Sequence, residues 1–146
     1  YEHSVGVPLM IKAAAQHTGK KTADLCYLID VFPTLCDMLQ LPVPQSVDGV
    51  SLLPSLDGKG PVRDYLYYSY MDNQRSISDG TWKLIEYHVN GKRTTQLFNL
   101  KNDPWEMNDL SGQKKYRKTI LHLREKMTEK QKRTNDTSVF WNNFSY

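Results

Sequence analysis

Asp79-Gly80-Thr81-Trp82-Lys83-Leu84-Ile85 and Leu97-Phe98-Asn99-Leu100-Lys101-Asn102-Asp103-Pro104-Trp105-Glu106-Met107-Asn108-Asp109-Leu110 are the two stretches whose reading decides the fold. The first is a tight turn entering a strand, because Asp-Gly favours a hairpin turn and apolar and aromatic residues follow it. The second is a strand running into a turn, where Asp-Pro stops the ladder. Asn90-Gly91 between them is a second hairpin signal. Candidate strands at 65–70, 75–78, 82–87 and 95–99 therefore form a small antiparallel sheet. Its open face needs cover. Tyr116, Ile120, Leu123 and Met127 recur at i, i+4, i+7 and i+11, so a basic helix over 113–132 is expected to supply it.

Working outward, residues 5–11 form a short apolar run that suits a buried strand with Pro8 near its start or at an edge. Residues 13–22 are small, polar and basic, and read as a loop. Pro33 is tolerated only in a first helical turn, which makes Asp30 the N-cap of a helix running to Gln40. Phe32, Leu35, Cys36 and Leu39 then share a face expected to be buried. Leu41-Pro42-Val43-Pro44 ends that helix. Residues 47–60 read as a linker with one helical turn at Ser51-Leu52-Leu53-Pro54-Ser55-Leu56, and a boundary is expected at 58–61. In the tail, Phe140, Trp141, Phe144 and Tyr146 are expected to dock on the body.

Composition is ordinary for a globular chain of 146 residues, with 39% hydrophobic and 24% charged residues. A net charge of +3 is too small to argue for a nucleic-acid partner. No apolar run approaches the ~18 residues that a membrane span needs. Lysine and arginine concentrate between 114 and 133, which reads as a solvated helix face or as a contact for a polyanion such as a sulfated glycan. Cys26 and Cys36 form no C-x-x-C or similar metal pattern and read as small buried apolar residues. His17, His88 and His122 show no metal spacing. The chain opens on Tyr1 with what reads as the interior of a fold, so a fragment or processed chain is expected.

Tyr1-Glu2-His3-Ser4-Val5-Gly6-Val7-Pro8-Leu9-Met10-Ile11, Asp30-Val31-Phe32-Pro33-Thr34-Leu35, Asp48-Gly49-Val50-Ser51-Leu52-Leu53-Pro54, and the Trp82 and Asp103-Pro104 blocks follow one another in an order that resembles the C-terminal part of the sulfatase family. The resemblance implies an alkaline-phosphatase-like parent. Residues 1–60 would be the end of its large α/β domain plus a linker. Residues 61–146 would be a C-terminal subdomain with a four-stranded antiparallel sheet, a helix and a tail, giving an α+β chain. It implies sulfate ester hydrolysis on sulfated carbohydrate. It also implies calcium and a formylglycine nucleophile made from a C/S-x-P-x-R motif. No such motif occurs in this sequence. The resembled family carries its active-site lysine just before the Tyr-Glu pair and its metal ligands further upstream. The chain alone is thus expected to be inactive, with the missing N-terminal catalytic domain as its partner and self-association through the uncovered apolar faces of residues 1–45. Alternatives are a phosphodiesterase or phosphonate hydrolase of the same superfamily, or a stand-alone polyanion-binding module.

No catalytic or metal-binding residue is expected in the chain itself. Four residues are candidates for substrate contact. His3 follows the Tyr-Glu pair and either reaches the sulfate pocket or is structural. Asn73, Gln74 and Arg75 lie in the turn before the second strand, where Arg75 would pair with a sulfate or carboxylate, or else form an internal ion pair. Gly6 stands where the family often has arginine. Asp103-Pro104-Trp105-Glu106 is expected to be architectural, with Trp105 as a large apolar anchor. Asn135-Asp136-Thr137 and Asn143-Phe144-Ser145 fit N-x-S/T and are expected as chance matches.

Overall fold

The turn chemistry does build the sheet. A computed structural model describes residues 1–12, 19 and 21–137, and in it four strands lie in the order β1-β2-β3-β4: β1 Leu66–Tyr70, β2 Gln74–Ser78, β3 Trp82–Val89 and β4 Lys92–Asn99. Asp79 shapes the β2–β3 turn, its Oδ1 accepting the N–H groups of Thr81 at 2.8 Å and Trp82 at 2.6 Å. Asn90 and Gly91 join β3 to β4 with φ of 51° and 75°. Positive φ at both central residues matches the twist of the flanking strands. Both long strands extend beyond the sequence expectation because this turn lets them pair to its edge, from Trp82↔Asn99 to Val89↔Lys92.

The chain divides into two compact units, Tyr1–Gly6 with Tyr67–Tyr146, and Val7–Leu66. This division lies between Leu66 and Tyr67, and the first six residues go with the sheet.

In the sheet unit, side chains alternate between faces. The register puts Leu84, Glu86, Leu97, Thr95, Ile77 and Arg75 on one face, and Lys83, Ile85, Tyr87, Phe98, Gln96 and Gln74 on the other. A 3-10 turn, Lys114–Tyr116, leads into α4, Arg117–Arg133; the shorter helices are α1 Glu2–Val5, α2 Val31–Met38 and α3 Leu53–Leu56. Helix α4 packs on the first sheet face. Ile120, Leu123 and Met127 are buried there, and Tyr116 meets Trp82 with ring centroids 5.2 Å apart. Arg124 Nε donates to Glu86 at 2.7 Å and its Nη2 to Thr95 at 2.9 Å, while the Thr95 hydroxyl donates to Glu86 at 2.8 Å. The three side chains close on one another.

The strand expected at 5–11 is not there. Residues 2–5 form α1, and 6–12 have no regular structure. A strand needs a neighbour for its N–H and C=O groups; no strand of the described residues pairs with this segment, and Pro8 lacks a donor.

In the second unit, α2 ends at Met38, capped by Leu39, two residues before the expected Gln40. Asp30 is at the N-cap, but its carboxylate does not bond the helix that follows. It is fully buried and accepts the N–H of Tyr27 at 2.8 Å, the N–H of Val50 at 2.9 Å, and both Nε (2.8 Å) and Nη2 of Arg63. Thr34 donates to the Asp30 carbonyl and accepts the Leu52 N–H at 2.8 Å. The residues buried on α2 are Pro33, Thr34 and Cys36. The expected apolar face is corrected: only Cys36 of that set is buried, while Phe32, Leu35 and Leu39 are 51%, 48% and 66% exposed. The polar network around Asp30 sets which side of the helix faces inward. Cys26 and Cys36 are both free thiols. Burial, with Asp30 nearby, pushes the Cys26 thiol up and keeps it protonated.

The aromatic tail, Asn143-Phe144-Ser145 and His17 lie outside the described residues. No helix of the described residues is long and apolar enough to cross a membrane.

Candidate functional site

The face of the sheet opposite α4 gathers the residues that the two opening stretches have in common with the N-terminus. Lys83 points from β3 onto that face and is 1% exposed. Its Nζ lies 2.8 Å from Glu2 Oε1 and 3.1 Å from Glu106 Oε1, and 5.9 Å from the centroid of the Tyr68 ring. The Glu106 carboxylate also accepts the backbone N–H of Glu2. Glu106 reaches inward because its φ of 55° turns the chain after Pro104. The Asp103 carboxylate supports this turn by accepting the Met107 N–H at 3.0 Å and the Asn108 N–H at 2.8 Å. Those two amides hold the Asp103 carboxyl below the usual carboxylate range.

The same inversion turns Trp105 outward. It is 73% exposed rather than anchored in a core, which corrects the expectation for that residue.

Tyr1 lies beside this cluster. Its hydroxyl donates to Gln96 Oε1 at 3.0 Å, and its ring meets Phe98 edge-on at 5.9 Å. Burial and the Tyr1 hydroxyl push Tyr87 up, so Tyr87 is neutral. His3 is exposed and stacks on Tyr1, with centroids 5.8 Å apart and planes 7° from parallel.

The four substrate-contact candidates separate. His3 belongs to the N-terminal segment bound to the Lys83 face, and the register puts Gln74 on that same face. Asn73 is exposed in the β1–β2 turn, its carbonyl accepting the His88 N–H at 2.8 Å. Arg75 is on the opposite face and 3% exposed. Its Nη2 donates to Asp136 Oδ1 at 2.9 Å, its Nε to Oδ2, and its Nη1 to the carbonyls of Met71 and Gln74 at 2.6 and 2.8 Å. Tyr67 donates to the same carboxylate. Of the two roles open to Arg75, the geometry is that of the internal ion pair. Asp136, the middle residue of the Asn135-Asp136-Thr137 match, is thereby bound to β2.

Sequence reasoning missed the Lys83–Glu2–Glu106 cluster. The available signal was a lysine inside an apolar strand on the face shared by Ile85, which needs a partner if buried. The described residues contain no group of three His, Cys, Asp or Glu side chains able to hold a metal ion. The buried carboxylate of Asp30 has its oxygens occupied by Arg63 and two amides, so this donor set does not fit calcium.

The profile of the family described as "N-sulphoglucosamine sulphohydrolase, C-terminal" matches residues 1–133. The chain is 28% identical over 149 aligned positions to N-acetylglucosamine-6-O-sulfatase of Bacteroides thetaiotaomicron, covering 93% of this chain and 26% of that protein. It is 25% identical to arylsulfatase K of Xenopus laevis, covering 77% and 24%. Among solved structures it resembles BT4656 in complex with its substrate D-glucosamine-2-N,6-O-disulfate, with a TM-score of 0.60, 28% identity, and coverage of 73% and 24%. The chain spans about a quarter of the length of the curated relatives it matches.

Proposed function

As the chain belongs to the N-sulphoglucosamine sulphohydrolase C-terminal family, we infer that it is the C-terminal part of a sulfuric ester hydrolase acting on sulfated carbohydrate. The family match over residues 1–133 carries this reading. The named sulfated-sugar substrate of one matched structure and the sulfatase names of the relatives support the substrate class.

Within such an enzyme this chain supplies scaffold and substrate contact. The Lys83–Glu2–Glu106 cluster holds the segment carrying His3 onto the sheet. His3 and Asn73 are exposed, and Gln74 is half-buried, so these three are the side chains free to meet a sugar. Arg75 acts behind them by tying β2 to Asp136. The nucleophile and calcium belong to other parts of the enzyme. In support, the sequence has no C/S-x-P-x-R.

The test compares the full reading frame with the 146-residue chain, each produced with a formylglycine-generating enzyme and calcium. Sulfate release from sulfated glucosamine is expected from the first alone. Release by the isolated chain would overturn the division of labour, and none from either protein would overturn the enzymatic reading.

A further inference from the structure

A cavity of about 370 Å³ opens at the start of α4, lined by Thr95, Ser111, Lys114, Arg117, Ile120 and Arg124 among others. That volume is in the range of small-ligand sites. Its wall combines hydroxyls, cations and the apolar Ile120, a mixture suited to a saccharide, whose ring has apolar faces and a polar edge. Gly112 on the rim has open space where a side chain would stand.

The three cations differ in how they are occupied. Arg124 is engaged by Glu86 at 2.7 Å. Lys114 and Arg117 are exposed and form no ion pair among the described residues. The Asp109 carboxylate accepts, through Oδ1, the N–H groups of Leu97 at 3.1 Å and Ser111 at 2.8 Å, and is not among the lining side chains. No carboxylate lines the cavity, so its two uncommitted charges favour an anion.

We propose that this cavity is a subsite for an acidic saccharide, with Lys114 and Arg117 binding its sulfate or carboxylate and Ser111 a hydroxyl. The ligand class rests on the sulfated-carbohydrate reading above. The charges that act here thus sit at the entry to α4, in the 3-10 turn and the first helical residue.

The experiment titrates the full-length protein calorimetrically with a heparin hexasaccharide and with its desulfated, carboxylate-only counterpart, alongside turnover of a nitrophenyl sulfate. Lys114→Ala/Arg117→Ala is expected to weaken hexasaccharide binding by about tenfold or more, from the loss of charge-assisted hydrogen bonds. Lys132→Ala/Arg133→Ala, which removes the same charge from the far end of α4, is expected to change it less than about twofold. Binding kept by the desulfated sugar assigns the carboxylate as the group bound, and binding lost assigns the sulfate. Equal losses in the two variants, no loss in the first, or no binding by the unmodified protein would overturn the subsite. Absent turnover with binding intact would instead overturn the enzymatic reading.

Discussion

Lys83 Nζ lies 3.1 Å from Glu106 Oε1, with the two side chains 2% and 0% exposed. Glu106 Oε1 receives no well-directed hydrogen bond, so the contact is ionic and depends on charge more than on angle. Removing one partner leaves the other charge buried. Lys83→Met is expected to cost about 3–5 kcal/mol, and Lys83→Met/Glu106→Leu less than the single change. A double-mutant cycle by urea unfolding measures the coupling; simple additivity would refute it.

Asp30 and Arg63 give the second unit an acid limit. Burial alone would raise the Asp30 carboxyl, but Arg63 and the amides of Tyr27 and Val50 outweigh it and hold the group below its ordinary 3.8. The unfolded chain therefore takes up this proton first as pH falls. Its contribution is whole above pH 3.8 and is lost as pH drops through the lower folded value. Unfolding midpoints followed from neutral pH into acid should fall below about pH 4. Arg63→Met should lower stability at pH 7 by about 3–5 kcal/mol and flatten the acid decline.

A Cβ at Gly49 would stand 2.2 Å from the Ile29 carbonyl oxygen and 3.1 Å from Pro33 Cγ. The first is backbone and cannot swing aside. Gly49→Ala is expected to destabilise by about 1–3 kcal/mol, whereas Gly112→Ala, which meets nothing within 4 Å, should stay within about 0.5 kcal/mol. Equal thermal midpoints for the two variants would show that the Asp48-Gly49 turn has another cause.

Phe32, Leu35 and Leu39 recur at helical spacing and are exposed together. Phe32→Glu/Leu35→Glu should reduce self-association of the isolated chain in sedimentation runs while leaving its unfolding midpoint nearly unchanged. A mass distribution identical to that of the unmodified chain would remove this face as the cause.

His3 and Arg75 should separate by assay. His3→Ala is expected to keep the thermal midpoint and raise KM for a sulfated sugar in the full-length protein. Arg75→Ala takes the cation from the Asp136 carboxylate and leaves it Tyr67 as a donor, and should cost about 3–5 kcal/mol. A lowered midpoint with unchanged KM for His3→Ala would make that residue structural.

The sheet and α4 were legible because their signals are local. Asn90-Gly91 names its turn, and Ile120, Leu123 and Met127 repeat within one helix. The Asp30 network was not legible, because its partners Val50 and Arg63 lie 20 and 33 positions away. An Asp before a helix reads as a cap, and nothing local reveals a longer reach. Trp105 was misread because hydrophobicity places tryptophan inside, whereas the positive φ at Glu106 exchanges the two neighbours. The α4 cavity escaped for a related reason: Ser111 and Lys114 meet Thr95 and Arg124 only after the helix has docked.

Glu2 and Glu106 touch although they lie 104 positions apart in sequence, whereas each hairpin closes over a few residues. Long closures carry the larger entropic cost and reward the chain last. Folding of the sheet unit is therefore expected to run in sequence: the hairpins zip, α4 lands, and the N-terminal segment is latched by Lys83 at the end. Opening runs in reverse, so the residues around His3 are the first to be released while the sheet beneath them is still intact.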